Sequence, residues 1–172
     1  MTEFCGALLR TQLKRLAAQN ALRSENVQRF FQGIDGVPGF VPAKLHPEET
    51  RRGHYLVLFR YHSAEWGGLP RARFLEALNA EGVPVMSGYA FPSFENPLFR
   101  NLDFSSKQSA YMIGRDRPID YASFAATCPV ALRACREEAV WMMHTPFLGE
   151  GELIDQMAAA VVKLRENYRD LL

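Results

Sequence analysis

Apolar residues recur at helical spacing near both ends of the chain. The N-terminal stripe comprises Phe4, Leu8, Leu9, Leu13, Leu16, Ala17 and Leu22. Lys14, Arg15 and Arg23 mark the polar side, so the pattern predicts one long helix that ends near Gly33–Gly36. Because this helix starts almost at Met1, we expect the chain to begin inside a larger structure.

The second stripe predicts the clearest helix of the chain. Its members are Ile154, Met157, Val161, Leu164, Tyr168 and Leu171, spaced alternately by three and four residues. Two shorter helices are predicted between the stripes. Pro70 opens one that stops at Gly82, and Pro129 opens another that reaches Glu137.

Four segments have the composition of β-strands. His54–Tyr61 is largely apolar at both alternating sets of positions, which predicts a central strand. Val37–Leu45, interrupted by Pro38 and Pro42, predicts an edge strand. The remaining two strands are Val83–Met86 and Ala139–Met143.

The order of these elements predicts an α+β fold, with helices packed on a small mixed or antiparallel sheet. The length of 172 residues fits one domain or slightly more. Residues 90–126 are predicted to be an irregular loop, and a loop of that length tends to be functional or mobile.

The segment over residues 82–99 carries the most specific signal. Gly88 is typical of a backbone that needs unusual torsions or passes close to another group. Pro92 and Pro97 keep the following chain extended and rigid. Three phenylalanines make the segment too apolar for a solvated loop, so we expect the core, a ligand or another chain to cover it. They are Phe91, Phe94 and Phe99.

Composition excludes several classes of protein. Hydrophobic residues make up 48% and charged residues 23%, which is typical of a globular domain. A net charge of +1 gives no reason to expect nucleic acid or an acidic membrane as partner. No apolar run is long enough to span a membrane, and the N-terminus lacks the features of a signal peptide. We therefore predict a cytoplasmic location.

The three cysteines and four histidines fit no metal spacing, so no metal site is predicted. Cys128 and Cys135 are interpreted as small core residues rather than as a redox pair, and Cys5 as a free thiol. His46, His54 and His62 favour structural or surface roles. His144 lies where a strand ends, which makes it the strongest functional candidate of the four.

No common catalytic motif organises the other polar residues. The sequence has no P-loop, no dinucleotide fingerprint, no His-Glu-x-x-His and no Gly-x-Ser-x-Gly. Four carboxylates show no arrangement that demands acid–base pairing: Asp116, Asp120, Glu137 and Glu138. Trp141, Met142 and Met143 are interpreted as core residues.

Three blocks of sequence nevertheless resemble one family. The first is Met1-Thr2-Glu3-Phe4-Cys5-Gly6-Ala7-Leu8-Leu9 with Gln12-Leu13. The second is Gly82-Val83-Pro84-Val85, Gly88-Tyr89, Pro92 and Asn96-Pro97-Leu98-Phe99. The third is Cys128-Pro129-Val130-Ala131, Val140-Trp141-Met142-Met143-His144, Phe147-Leu148-Gly149 and Ile154. In this order they resemble the C-terminal part of the DegT/DnrJ/StrS pyridoxal-phosphate-dependent aminotransferases.

The resemblance implies a function that this chain performs only in part. Family members transfer an amino group, usually from glutamate or glutamine, to keto-sugars or keto-cyclitols in the biosynthesis of aminosugars, surface polysaccharides or secondary metabolites. They are dimers, and a large N-terminal domain supplies most of the cofactor site. The chain would then consist of a connecting helix, residues 1–33, and a small domain, residues 34–172, that resembles the small domain of fold-type I enzymes.

The resemblance also implies that the chain cannot carry the reaction alone. The cofactor needs a lysine for covalent attachment, and no lysine here matches the family motif. The chain has Lys14, Lys44, Lys107 and Lys163. We therefore expect no catalytic residue, no pyridoxal phosphate on the isolated chain, and a partner that is the missing cofactor domain or a homologous subunit.

Ser87, Tyr89 and His144 are the candidate substrate-binding residues. For Tyr89 the alternative is a core phenol with one hydrogen bond. Phe94 replaces the histidine or tyrosine of many members, and Leu132 replaces a common acidic residue. The first departure removes a polar group that could contact substrate, so the substrate class stays open. Two further hypotheses stand beside the aminotransferase part. One is a non-catalytic binding or regulatory module that pairs with a separately encoded cofactor domain, suggested by the apolar helix at Phe4–Leu16 and the phenylalanine-rich loop. The other is a truncated product without its own function.

Overall fold

A computed structural model describes residues 1–44, 46–100 and 120–172. Its centre is a four-stranded antiparallel sheet with strand order β1-β2-β4-β3. The strands are β1 (Phe40–Pro42), β2 (Leu56–Tyr61), β3 (Val85–Met86) and β4 (Ala139–Met143). β2 is central and β1 lies at one edge, as the sequence predicts. The end of the predicted edge strand at Leu45 falls outside the described residues.

Helices precede, separate and follow the strands. They are α1 (Glu3–Gly33), α2 (Arg71–Ala80), α3 (Pro97–Arg100), α4 (Phe124–Thr127), α5 (Pro129–Arg133) and α6 (Gly151–Asn167). A single π-helical turn, Ala134–Glu138, joins α5 to β4. The first and last helices confirm the periodicity of the sequence, because Thr2 caps α1 through its side chain and Ile154, Met157 and Val161 of α6 are buried.

One face of the sheet builds the core together with α1, α2 and α6. Val57, Phe59 and Tyr61 of β2 alternate inward, and Val140 and Met142 of β4 do the same. Their aromatic rings pack against rings from the helices. Phe59 contacts Phe30 of α1 edge-on at 5.8 Å, and Tyr61 stacks on Phe74 of α2 at 4.3 Å.

The other face of the sheet is only partly covered, which corrects one prediction. On β2, Leu58 is 39% exposed and Arg60 is exposed. Trp141 and Met143 were interpreted as core residues with Met142. Because side chains alternate along a strand, only Met142 enters the core, and its two neighbours lie half-buried on the open face.

The long helix α1 has two different halves. Its C-terminal half packs in the core through Val27 and Phe30, whereas residues 1–22 are all exposed or half-buried. At 1.5 Å per residue, this outer half is about 30 Å long. Its apolar stripe has no cover from the described residues: Phe4 is 76% exposed and Leu13 is 65% exposed.

Short helical turns make up most of the described part of the predicted loop over residues 90–126. A 3₁₀ turn at Ser93–Glu95 leads into α3, and another at Tyr121–Ser123 leads into α4. Residues 101–119, which include Asp116 and Lys107 of the sequence prediction, lie outside the described residues. The architecture confirms the predicted α+β class.

Candidate functional site

The loop over residues 87–89, which follows β3, places two of the three predicted substrate-side residues at the sheet edge. Gly88 adopts a positive φ of 75°. A Cβ atom added there would lie 2.6 Å from Cε2 of Trp141, far inside van der Waals contact. Gly88 therefore meets both expectations at once, an unusual torsion and a close approach.

Tyr89 is an exposed phenol that rests on an indole. Its ring meets that of Trp141 edge-on, with centroids 4.9 Å apart and planes at 84°. The residue is 72% exposed, so the alternative of a buried core phenol is wrong. A tyrosine supported on one side and open on the other can offer its hydroxyl group to a polar ligand.

Tyr89 lines an apolar groove of about 570 Å³. The walls of this groove also include Phe91, Phe94, Cys128 and Cys135. Phe91 remains 41% exposed, so the described residues cover the phenylalanine-rich segment only in part. The two cysteines are half-buried free thiols rather than core residues.

A second, more polar cavity of about 620 Å³ lies on the Ser87 side of the loop. Arg71 at the start of α2, Arg136 and Glu137 line it together with Ser87. Tyr89 and Ser87 therefore open onto different cavities, although they are separated only by Gly88. The loop forms a ridge between the two cavities.

Arg71 ties this loop to the π-turn and to β4. Its Nη2 donates hydrogen bonds to the carbonyls of Cys135 and Arg136, both at 2.9 Å, and its Nη1 donates to that of Ala139 at 3.0 Å. A longer contact of 3.4 Å joins Nη1 to the carbonyl of Ser87. Burial lowers the pKa of Arg71 from its ordinary value, although the guanidinium keeps its charge. Sequence reasoning missed this residue, since only its position after Pro70 marked it.

Glu138 is a second residue that sequence reasoning underestimated. Its buried carboxylate accepts hydrogen bonds from Arg133 Nε at 2.5 Å and from Arg60 Nη2 at 2.8 Å. Burial acts to raise its pKa, but the hydrogen bonds from Arg133 and Arg60 outweigh burial and leave the pKa below its ordinary value. Glu138 thus forms structural ion pairs with two arginines beside the site, which the sequence prediction about acid–base pairing did not address.

His144 does not join Ser87 and Tyr89. It lies beyond the far end of β4, where its Nδ1 is 3.2 Å from the carbonyl oxygen of Tyr55 and its ring stacks on that of Tyr55. It lies three positions after Trp141, or about 10 Å along the chain at the rise of a β-strand. It lines neither of the two cavities beside the loop.

The described residues offer neither a metal site nor a membrane span. Within residues 1–44, 46–100 and 120–172, no group of three His, Cys, Asp or Glu side chains is placed to hold an ion. No helix in these ranges has the length and apolar character required to cross a bilayer.

The same fold occurs in a larger known protein. The crystal structure of 3-amino-5-hydroxybenzoic acid synthase matches 97% of this chain with a TM-score of 0.74 and 22% identity, over 39% of the synthase. This likeness establishes the fold: helices on a small antiparallel sheet, here ending in a ridge of exposed aromatic and polar residues.

Sequence comparison then gives the family. The family model of the DegT/DnrJ/EryC1/StrS aminotransferases matches residues 1–113, and the chain belongs to this family. The family is typically pyridoxal-phosphate dependent.

Two curated relatives match almost the whole chain. A protein of Micromonospora echinospora is 35% identical over 169 residues and is provisionally named as an L-glutamine:3-amino-2,3-dideoxy-scyllo-inosose aminotransferase. The L-glutamine:2-deoxy-scyllo-inosose aminotransferase of Streptoalloteichus tenebrarius is 31% identical over 172 residues. They cover 96% and 99% of this chain, whereas the chain spans 39% of the length of each.

The described residues do not by themselves fit pyridoxal phosphate. Lys14 and Lys44 are exposed, and Lys163 is held by both carboxylate oxygens of Glu81 at 2.8 Å. No described lysine lines either cavity beside the loop. Lys107 lies outside the described residues. The arrangement offers a rim for a ligand without a group that could attach the cofactor.

Proposed function

We propose that this chain is the C-terminal part of a pyridoxal-phosphate-dependent aminotransferase that transfers an amino group to a keto-cyclitol or a related keto-sugar. The proposal rests on the names of the relatives together with the share of their length that this chain covers. Relatives named as glutamine-dependent inosose aminotransferases match 96–99% of this chain and only about 39% of their own length. Glutamine is the proposed amino donor.

The proposal divides the work between this chain and the rest of the enzyme. When bound, the cofactor supplies an electron sink for amino transfer, and its lysine comes from the other part. The residues of this chain bind and orient the keto-substrate. Tyr89 and Ser87 offer hydroxyl groups from the ridge, and the apolar groove beside Tyr89 excludes water. His144 is proposed to contact a different part of the bound substrates, because it lies at the other end of β4.

The outer half of α1 is the proposed docking surface for the cofactor domain. Its stripe exposes Phe4, Leu9 and Leu13, each at least half exposed. A contiguous apolar surface of this kind marks a protein interface. In the relatives, the matched segment is part of one polypeptide that is more than twice as long. The remaining part of such a polypeptide could cover this surface. We propose a homodimer for the complete enzyme.

A second candidate function rests on the same stripe. By the family resemblance, the apolar residues Phe94 and Leu132 stand at two positions that are often polar in other members. A chain that docks a cofactor domain but has lost substrate contacts would be a binding or regulatory module. Both candidates require the docking surface, and they differ only in amino transfer.

The test joins this chain to the remaining part of the Streptoalloteichus tenebrarius aminotransferase, in place of the segment that it matches. We expect the joined protein to bind pyridoxal phosphate and to transfer an amino group from glutamine to 2-deoxy-scyllo-inosose or a close analogue. The isolated chain, assayed in parallel, should transfer none. A joined protein that holds the cofactor but aminates no inosose would overturn the proposal in favour of the non-catalytic module.

A further inference from the structure

The loop that carries Tyr89 lies directly on the indole of Trp141. The space beneath Gly88 is so small that a single added carbon would lie within 3 Å of three indole atoms, Cε2, Cζ2 and Nε1. The positive φ of Gly88 turns the chain at this contact. The indole therefore limits how closely the loop can approach the sheet.

The same indole supports Tyr89 laterally. The edge-on ring contact at 4.9 Å has the geometry that aromatic pairs prefer. The rest of Tyr89 is open to solvent, so this contact and the backbone at Gly88 define where the phenol stands. Trp141 itself is fixed in the sheet between Leu58 of β2 and Met86 of β3.

Arg71 fixes the beginning of the loop relative to the same strand. Its Nη1 is shared between the carbonyls of Ala139, at 3.0 Å, and Ser87, at 3.4 Å. Ala139 lies two residues before Trp141 in β4. One guanidinium thus holds the first residue of the loop and the start of the strand that carries the indole.

We propose that Trp141 is a positioning residue that holds Tyr89 in its substrate-binding place, with Arg71 securing the loop from the Ser87 side. The inference rests on the proposed function, in which Tyr89 contacts the keto-substrate. Because Trp141 acts through Tyr89 and not on the reacting atoms, its loss weakens substrate binding and leaves the chemical step intact.

The first test measures the mobility of the loop in the 172-residue chain by ¹⁵N relaxation. We expect backbone order parameters of about 0.85 at Gly88 and Tyr89 in the native chain, and below about 0.6 in Trp141→Leu. Trp141→Phe, which keeps a smaller ring under Tyr89, should lie between them. Val41→Ala changes an exposed residue of the same sheet face at the opposite edge strand, and it should match the native chain. Unchanged order parameters in Trp141→Leu would overturn the proposal.

The second test uses the joined protein described above. Trp141→Leu should raise KM for the keto-cyclitol about tenfold and change kcat by less than about twofold, with partial rescue in Trp141→Phe. A KM equal to that of Val41→Ala would overturn the positioning role. If the native joined protein transfers no amino group, the proposed function fails, and the order parameters still decide whether Trp141 holds the loop.

Discussion

At the scale of single residues, Gly88 combines a positive φ with a close contact to Trp141. A second glycine of the chain, Gly82, has the positive φ without the contact. Gly82 also has a positive φ, 86°, but a Cβ added there would meet no atom within 4 Å. At Gly88 a Cβ would collide with Trp141 at 2.6 Å. The two positions therefore separate the cost of the backbone conformation from the cost of the contact.

We predict that Gly88→Ala destabilises the chain more than Gly82→Ala does. A left-handed conformation costs a non-glycine residue about 1–2 kcal/mol, and both variants carry this cost. Overpacking adds about 1–3 kcal/mol in Gly88→Ala alone. Urea unfolding of both variants measures the difference. Equal losses of unfolding free energy would show that the indole moves away freely.

Glu138 makes a prediction about pH. Its folded-state pKa lies below the ordinary value of 4.5, because hydrogen bonds from Arg133 and Arg60 outweigh burial. Its ion pairs therefore stabilise the fold at a pH above 4.5, and this contribution is lost as the pH falls through the folded-state pKa. Glu138→Gln should be less stable than the native chain at pH 7, by about 1–3 kcal/mol.

The check is the unfolding free energy of the native chain and of Glu138→Gln measured from pH 7 to pH 3. The gap between the two should be widest above pH 4.5 and close as the pH falls below it. Glu76→Gln, which removes an exposed partner of Arg73, is the matched control and should show almost no gap. A gap at Glu138 that does not depend on pH would contradict the assignment.

Sequence reasoning could foresee Gly88 but not Glu138, and the reason is physical. A glycine between a strand and a tyrosine signals a local torsion, which neighbouring residues determine. The partner Arg60 is 78 residues away from Glu138, so only the pairing of β2 with β4 brings the two together. Trp141 was misjudged because an apolar strand does not show by composition which of its faces is covered.

At the scale of elements, α1 combines a core helix and an uncovered helix in one regular segment. Asn26 anchors the inner half, since its side-chain amide donates to the carbonyls of Phe147 and Gly149. The outer half has the same apolar periodicity, but no described residue covers its apolar stripe. Periodicity predicts that a helix has a face to bury, and it does not say whether this chain buries it.

Two phenylalanines on α1 test this division. Phe30→Ala should cost about 3–5 kcal/mol of unfolding free energy, because the ring is fully buried against Phe59 and Phe147. Phe4→Ala should change it by less than about 0.5 kcal/mol in the isolated chain. Thermal or urea unfolding gives both values. A large loss for Phe4→Ala would mean that the outer half is packed against this chain after all.

The elements that sequence reasoning missed are short ones. Strands β2 and β4 and the helices α1, α2 and α6 are long enough to show a period, and they were foreseen. The turns at Ser93–Glu95 and Pro97–Arg100 have one turn each, too few residues for a periodic pattern. Pro92 before the first of them and Pro97 at the start of the second indicated rigidity but not helical geometry.

At the scale of the whole molecule, the proposed docking surface on α1 should contribute little to the stability of this chain and much to that of the complete enzyme. Leu9 and Leu13 on the outer half of α1 are 50% and 65% exposed. Burying a leucine side chain contributes about 1.5–3 kcal/mol. The double variant Leu9→Ser, Leu13→Ser should therefore leave the isolated chain unchanged within about 0.5 kcal/mol and destabilise the joined protein by several times that amount.

Thermal unfolding of the variant measures its loss of stability both in the isolated chain and in the joined protein. Lys14→Ser, beside Leu13 on the exposed helix, is the control and should be neutral in both. Equal effects of the leucine variants in both backgrounds would contradict the docking surface.

The central claim is that this chain supplies the substrate rim while another part of the enzyme supplies the cofactor lysine. The most direct measurement is the position of the label after the joined protein is loaded with pyridoxal phosphate, reduced with borohydride and analysed by peptide mass spectrometry. We expect a pyridoxyl label on a lysine of the added part and none on the four lysines of this chain. A label on Lys14, Lys44, Lys107 or Lys163 would contradict it.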